Sequence, residues 1–361
     1  MNSDINPRQI KFFDLVQDRS VVESAGGGGR RCDNKYNEII SKGNLLVSWQ
    51  EFLSDKKERK DIAEFMINFS GNISNLCNEL KEKTYKHNDY IAFKINDPKP
   101  RDIHKASVRD RVVHHAIYRI LYPYFDRQFI FDSYSCRIDK GTHRAIGRFE
   151  NFARKVSLNS KRTVWVLKCD IRKFFANIDH LILKTILDKH ILDKDIVWLL
   201  SQIIDSFNTA GKENVGLPLG NLTSQLLVNI YMNEFDQFVK RKLKIKYYVR
   251  YADDFIILHE NKSFLQDLIL EISEFLETKL KLLLHPKKVS IKTFNSGVDF
   301  LGWVCFSNHK VLRTKTKRRM FKRIEKHKTK ETLASYLGML SHGNAYKLSK
   351  KIKFITPTPL V

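Results

Sequence analysis

The chain has 361 residues, which is long enough for two or three domains with a sizeable core. Its 42% hydrophobic and 29% charged residues are typical of a globular protein, and 64 Lys and Arg against 40 Asp and Glu give a net charge of +24. That excess disfavours a basic partner and favours a polyanion such as nucleic acid, with a merely basic enzyme as the alternative.

Membrane insertion and export are not indicated. No apolar run approaches the roughly 18 residues of a membrane span, and the opening residues MNSD lack a signal-peptide pattern. The five cysteines lie far apart, without the spacing of a zinc site or a disulfide framework. We therefore expect a cytoplasmic protein with reduced thiols and no membrane contact.

The first 45 residues have little pattern. Four glycines at 26–29 precede two arginines, a composition that cannot pack a core and predicts a flexible basic arm. Helical spacing begins near Trp49, and apolar residues within 62–69 predict a helix that ends near Gly71.

A helix start and a strand come next. Ser107, with an acid three residues later, resembles a capping box and predicts a helix to about Leu121, before Pro123. The apolar run 164–167 has no helical face and predicts a buried strand that places Asp170 at its end.

The centre of the chain predicts a hairpin. Two apolar runs, 247–249 and 255–258, flank Tyr251-Ala252-Asp253-Asp254, so two adjacent carboxylates lie at a chain reversal. A helix that begins at Ser263 and extends through Leu280 follows. Strands that alternate with helices around this hairpin predict an α+β fold with helices on one face of a sheet.

Beyond Phe306 the chain becomes strongly basic. Seven Lys and Arg residues fall within 315–326, interspersed with apolar positions such as Met320 and Ile324. This pattern predicts a small, positively charged helical module, with a solvated charge run as the alternative.

The carboxylates predict metal chemistry. Asp253 and Asp254 repel each other unless water screens them or a divalent cation neutralises them, and Mg²⁺ prefers such oxygen ligands. With Asp170 they form a set that can hold two ions about 4 Å apart for phosphoryl transfer. An isolated Asp-Asp pair is more often a surface turn, but the third acid, the glycine-rich turn at 216–220 and the charge of +24 favour a polymerase.

Six segments in order resemble the reverse transcriptase family over roughly residues 85–345. They are Lys99-Pro100-Arg101 through Arg111, Lys168-Cys169-Asp170-Ile171 through Phe175, Gly216-Leu217-Pro218-Leu219-Gly220 through Gln225, Arg250-Tyr251-Ala252-Asp253-Asp254, His285-Pro286-Lys287-Lys288, and Phe300-Leu301-Gly302-Trp303. The resemblance implies an RNA-directed DNA polymerase, a nucleotidyltransferase, with a right-hand fold of fingers, palm and thumb.

The sequence predicts four regions, of which the first comes from its composition and departs from the family, and the other three follow from this resemblance. They are a flexible basic amino-terminal arm (1–45), fingers and amino-terminal helices (46–160), a palm with an antiparallel sheet and the catalytic aspartates (161–305), and a helical basic thumb (306–361).

The resemblance also assigns the metal ligands. Asp170, Asp253 and Asp254 would be the catalytic residues and would bind two Mg²⁺ ions, with Mn²⁺ as an alternative metal. Ile171 would offer its backbone carbonyl to one ion. The partners implied are template RNA, an RNA/DNA duplex and deoxynucleoside triphosphates.

Further roles carry over residue by residue. Arg101 and Lys105 would contact the incoming triphosphate, although nearby Asp102 or Asp110 could instead pair with such cations. Phe175 would be a steric gate against a 2′-hydroxyl, with core packing as the alternative. Lys288 would lie near the leaving pyrophosphate, or would simply be solvated.

The segment around Leu219, Gly220 and Gln225 is most similar to reverse transcriptases of diversity-generating retroelements, which make errors at template adenines. Many relatives carry glutamine at position 219, so an amide that could hydrogen-bond the nucleotide is replaced by an aliphatic chain. This subgroup implies a small, basic, pentameric accessory protein. The alternatives are a phage-defence or retron-type enzyme and a non-catalytic RNA-binding protein.

Overall fold

The computed structural model describes residues 35–54, 58–96 and 100–355. The glycine-rich segment at 26–29 and Lys99 lie outside these ranges. The described residues combine helices with three antiparallel sheets, so the predicted α+β class is confirmed.

Two helices occupy part of the region predicted as a flexible arm. They are α1 (Tyr36–Ile40) and α2 (Lys42–Leu53). Tyr36 and Leu45 are buried, and the Tyr36 hydroxyl donates to the carbonyl of Leu80 at 2.5 Å. The arm prediction is therefore wrong over these residues, because their apolar side chains bury against later helices.

The next helical stretch is interrupted. The single helix expected to end near Gly71 is instead α3 (Lys60–Ile67) followed by α4 (Phe69–Lys81), with Gly71 inside the second. The break falls at Asn68, whose φ of −123° and ψ of 47° are not helical.

Helix α5 (Val108–Asp126) begins at Ser107, whose side chain accepts from the Asp110 amide as the capping box predicts. It does not end before Pro123, which lies inside it. Pro123 removes one helical hydrogen bond. Tyr122 and Phe125 are 5% and 1% exposed on the same segment, and their burial offsets that loss.

The two-stranded hairpin before α5 consists of β1 (Ile91–Ile95) and β2 (Arg101–Lys105).

The central sheet has four antiparallel strands in the order β4, β5, β3, β6. Their bounds are β3 (Trp165–Asp170), β4 (Tyr248–Tyr251), β5 (Asp254–His259) and β6 (Ser290–Thr293).

Both faces of this sheet are covered, so the prediction of helices on one face is wrong. Along β5, Phe255 and Ile257 point into one hydrophobic core, whereas Ile256 and Leu258 point into another. Helix α10 (Lys262–Leu280) packs on the first side and α6 (Thr142–Val156) on the second. A continuous apolar run such as 255–258 requires cover on both faces, because successive side chains alternate.

The remaining helices around the sheet are α7 (His180–His190), α8 (Lys194–Asp205) and α9 (Leu222–Gln237). Helix α10 begins one residue before the predicted cap Ser263. Its capping residue is Asn261, whose side chain accepts from the Phe264 amide at 3.2 Å.

The carboxyl-terminal part forms a small sheet and three helices. They are β7 (Val298–Phe300), β8 (Trp303–Cys305), β9 (Lys310–Leu312), α11 (Thr314–Lys326), α12 (Lys330–Leu340) and α13 (Tyr346–Ile355). Met320 and Ile324 are fully buried, as expected for a folded basic module. In the part of the chain that the structure describes, no helix combines the length and the apolar character needed to cross a membrane.

A fully buried ion pair lies beneath the hairpin of β4 and β5. The Arg250 guanidinium donates to both carboxylate oxygens of Asp236, at 2.8 and 2.7 Å, and to the carbonyl of Ala252 at 3.0 Å. Tyr248 donates its hydroxyl to the same carboxylate at 2.7 Å. This pair therefore connects α9 to the turn that carries the paired acids.

We expect Asp236→Ala to lower the free energy of unfolding by about 3–5 kcal/mol, because it leaves the buried Arg250 charge without an opposite charge. Urea denaturation of the purified protein measures the change. The control is Glu260→Ala, which removes an exposed pair with Arg162 and should cost less than about 1 kcal/mol. Equal losses in the two variants would contradict this assignment.

Candidate active site

The sheet register brings the three aspartates together. In the pairing of β3 with β5, Asp170 lies directly opposite Asp254. Asp253 lies in the two-residue turn between Tyr251 and Asp254, whose strands pair at that point. The prediction that separate strand ends deliver these acids to one place is therefore met by the backbone.

The turn itself is conformationally unusual. Ala252 has a φ of 54°, a left-handed conformation that is unfavourable for a residue with a side chain. The Arg250 guanidinium accounts for its persistence, because it binds the Ala252 carbonyl from below. Strained backbone of this kind is concentrated at functional sites.

The carboxylates interact unfavourably with one another. Burial is the main cause that raises the pKa of Asp253 to about 6, and the charges of Asp254 and Asp170 raise it further. Burial likewise raises the pKa of Asp254, where Asp170 adds to the effect. Lys288 offsets part of this repulsion, because its ammonium nitrogen lies 2.7 Å from Asp170 Oδ1.

The donor set fits a hard divalent cation. Three carboxylates lie close together, those of Asp253 and Asp254 have a raised pKa, and Lys288 contacts the third, so the set has negative charge to spare for Mg²⁺ or Mn²⁺. Across residues 35–54, 58–96 and 100–355, no three His, Cys, Asp or Glu side chains already have metal-site geometry. The Lys288 ammonium occupies one face of Asp170 instead.

The backbone of Asp170 and Ile171 pairs with the segment that precedes Lys288. The His285 amide donates to the Asp170 carbonyl at 2.7 Å, and Ile171 is bridged to Leu284. Ile171 is 1% exposed, next to the acids as predicted. The segment that carries Lys288 is thereby fixed to the end of β3.

The cations predicted for the triphosphate differ in their surroundings. Arg101 begins β2 and is exposed. Lys105 forms an ion pair with Asp61 at 2.8 Å, and Arg111 pairs with the same carboxylate. The partner of both is thus Asp61, and not Asp102 or Asp110, the two acids considered from the sequence. Arg101 is thus the better placed of the predicted pair to meet a ligand.

The glycine-rich turn attaches the first hairpin to the sheet domain. The His104 amide donates to the Leu219 carbonyl at 3.1 Å, and the Asn221 side chain donates to the His104 carbonyl at 2.9 Å. Gly220 has a φ of 111°, and a Cβ there would lie 2.9 Å from Ile103 Cγ2. Only glycine therefore permits this approach.

Phe175 and Gln225 lie on either side of that turn. The Phe175 carbonyl accepts from the Leu217 amide at 2.8 Å, and the Phe175 ring is half-buried. The neighbouring Phe174 is 3% exposed and fills the core position. Gln225 is half-buried in the first turn of α9.

The sequence prediction missed the supporting pair of Arg250 and Asp236. A charged residue inside the apolar strand Tyr248–Tyr251 is the signal that could have found it, because such a charge requires a buried partner.

Comparison with known proteins identifies the family. Residues 93–305 match the family model described as reverse transcriptase (RNA-dependent DNA polymerase). The chain belongs to the reverse transcriptase family. This membership confirms the right-hand polymerase fold and the enzymatic class, RNA-directed DNA polymerase.

The relatives of this reverse transcriptase include intron-encoded proteins. It is 27% identical to Protein YkfC of Escherichia coli over 67% of this chain and 72% of that protein. It is 26% identical to the group II intron-encoded protein LtrA of Lactococcus lactis over 74% of this chain, and spans 56% of LtrA. A truncated apo telomerase from Candida tropicalis aligns with a TM-score of 0.45 at 15% identity, over 65% and 59% of the two chains.

We expect Asp253→Asn to stabilise the metal-free protein. The Asp253 carboxyl ionises near pH 6 in the folded chain and near pH 4 when unfolded, so its charge opposes folding above about pH 6 and not below about pH 4. The gain should be about 1–3 kcal/mol near pH 7.5 and vanish near pH 4.

Thermal and urea unfolding with EDTA measure this gain, and Asp267→Asn on the exposed side of α10 is the control. Added Mg²⁺ should stabilise the wild type more than the variant, since it binds the folded carboxylates. A variant less stable than the wild type in EDTA would show that the Asp253 charge is not repelled.

Proposed function

We propose that this reverse transcriptase copies a template RNA into cDNA by two-metal nucleotidyl transfer at Asp170, Asp253 and Asp254. The observation that carries the proposal is the register that sets Asp170 opposite Asp254, with Asp253 in the adjoining turn. Two ions bound there would supply charge stabilisation for the attacking and leaving oxygens. A non-catalytic RNA-binding protein would have no use for three mutually repelling, poorly hydrated carboxylates.

The other residues of the site bind and orient. Arg101, exposed at the start of β2, holds the incoming triphosphate through its guanidinium. Phe175 lies against the sugar and excludes a 2′-hydroxyl. Lys288, whose ammonium contacts Asp170, would lie near the leaving pyrophosphate and offset its charge. The basic helix α11 contacts the phosphates of the RNA/DNA duplex.

We expect Asp253→Asn to abolish primer extension on poly(rA)/oligo(dT) with Mg²⁺ and dTTP, because one metal ligand is lost. Binding of the same primer–template, measured by fluorescence anisotropy, should stay within about twofold of the wild type, since each phosphate contact remains. Asp267→Asn should extend normally. Extension by the Asp253→Asn variant would refute the metal assignment.

We propose further that the enzyme serves a diversity-generating retroelement and misincorporates opposite template adenines. The support is Leu219, whose aliphatic side chain adjoins Gly220 at the joint with the first hairpin and offers no hydrogen bond to a nucleotide. Pose control of the incoming nucleotide is thereby weakened. A small, basic, pentameric accessory protein would be the partner of such an enzyme.

We expect Leu219→Gln to lower the frequency of misincorporation at adenines several-fold, because the added amide restores a polar anchor. Sequencing of cDNA made from one defined RNA measures errors at each base. Leu219→Met keeps the aliphatic character and should retain the wild-type spectrum. Uniform fidelity in the wild type would favour a phage-defence or retron-type role instead.

A further inference from the structure

A cavity of about 320 Å³ lies between α6, the turn that connects β8 to β9, and the loop that connects α12 to α13. Its volume falls within the range of small-ligand sites. A smaller recess lined by Arg154 and Arg162 adjoins it. No residue proposed for catalysis lines either space.

The cavity runs along α6, and its Arg154 end is remote from the aspartates. Helix α6 begins at Thr142, whose hydroxyl lies 3.4 Å from that of Tyr251 beside the catalytic turn. Arg154 lies twelve residues further along the same helix, about 18 Å away. Arg154 thus lies at the end of α6 away from the acids, whereas His342, which also lines the cavity, stacks on His143 near the start of the helix.

A flat aromatic surface borders the cavity. The rings of Phe306 and His309 stack with centroids 4.6 Å apart and an interplanar angle of 6°. The Phe306 amide donates to the His309 carbonyl at 2.8 Å, which closes the turn beneath the rings. His309 is exposed, so part of its ring remains accessible to a ligand.

Polar groups complete the lining. The Lys310 ammonium donates to the Glu150 carboxylate at 3.0 Å. The backbone amide of Lys310 donates to the Asn344 side-chain oxygen at 3.3 Å. The side-chain nitrogen of Asn344 therefore remains as a donor for a ligand. Among the described residues, no side chain or carbonyl pairs with the Arg154 guanidinium, which borders both the cavity and its recess.

We propose that this cavity binds one unpaired nucleotide of the template RNA. That nucleotide lies outside the stretch of the RNA that is being copied. The base stacks on His309, its edge meets Asn344, and its phosphate pairs with Arg154. Unpaired RNA is recognised by this combination of aromatic stacking, amide contacts and cations. That the bound RNA is the template rests on the proposed function, whereas the cavity itself does not involve the aspartates.

The test measures binding of labelled single-stranded oligo(rC) by anisotropy, after unlabelled RNA/DNA duplex has saturated the catalytic cleft. We expect Arg154→Ala to weaken binding about tenfold and to reduce the slope of log Kd against log salt by about 0.7, as for one phosphate contact. His309→Ala should weaken binding about tenfold with the slope unchanged, because stacking is uncharged.

Lys155→Ala is the matched control, since this exposed lysine neighbours Arg154 on the same helix but does not line the cavity. It should bind within about twofold of the wild type. Wild-type affinity in the Arg154 and His309 variants would overturn the proposal and leave the cavity to a protein partner.

Primer extension on poly(rA)/oligo(dT) separates this inference from the proposed function. Both cavity variants should extend at the wild-type rate, because the aspartates are unchanged. Parallel losses of extension and binding would assign the effect to the catalytic cleft and overturn a separate site. A wild type that binds oligo(rC) through these residues but makes no DNA would support the cavity and reject the polymerase proposal.

Discussion

The structure depends on holding like charges together. Burial and the charge of Asp170 raise the pKa of both Asp253 and Asp254, so electrostatics alone would drive the three carboxylates apart. The hydrogen-bonded register of β3 and β5 prevents this, and Arg250 fixes the turn from beneath. Apolar cores on both faces of the sheet stabilise that register.

The site was predictable where its signal is local in sequence. Short apolar runs next to Asp170 and around Asp253-Asp254 predicted the strands and the turn, because alternation and turn chemistry act over a few residues. Contacts between distant segments were not predictable in the same way. The pairing of Lys288 with Asp170 spans 118 residues, and no pattern in either segment specifies the other.

Two errors in the predicted fold have the same physical cause, which is tertiary burial. The glycines at 26–29 predicted an arm as far as residue 45, yet the apolar side chains between Tyr36 and Leu45 are buried and dock that stretch. The segment after Pro123 stays helical because Tyr122 and Phe125 are buried. Local propensity was outweighed in both places by area removed from water.

The contact between the first hairpin and the glycine-rich turn uses neighbouring residues in different ways. It uses the main-chain carbonyl of Leu219 and the missing Cβ of Gly220, while the Leu219 side chain belongs to neither hydrophobic core. Position 220 is thereby closed to mutational drift, whereas position 219 is open to it. A substitution at position 219 can therefore change the side chain beside the joint without disturbing the backbone contact between the first hairpin and the glycine-rich turn.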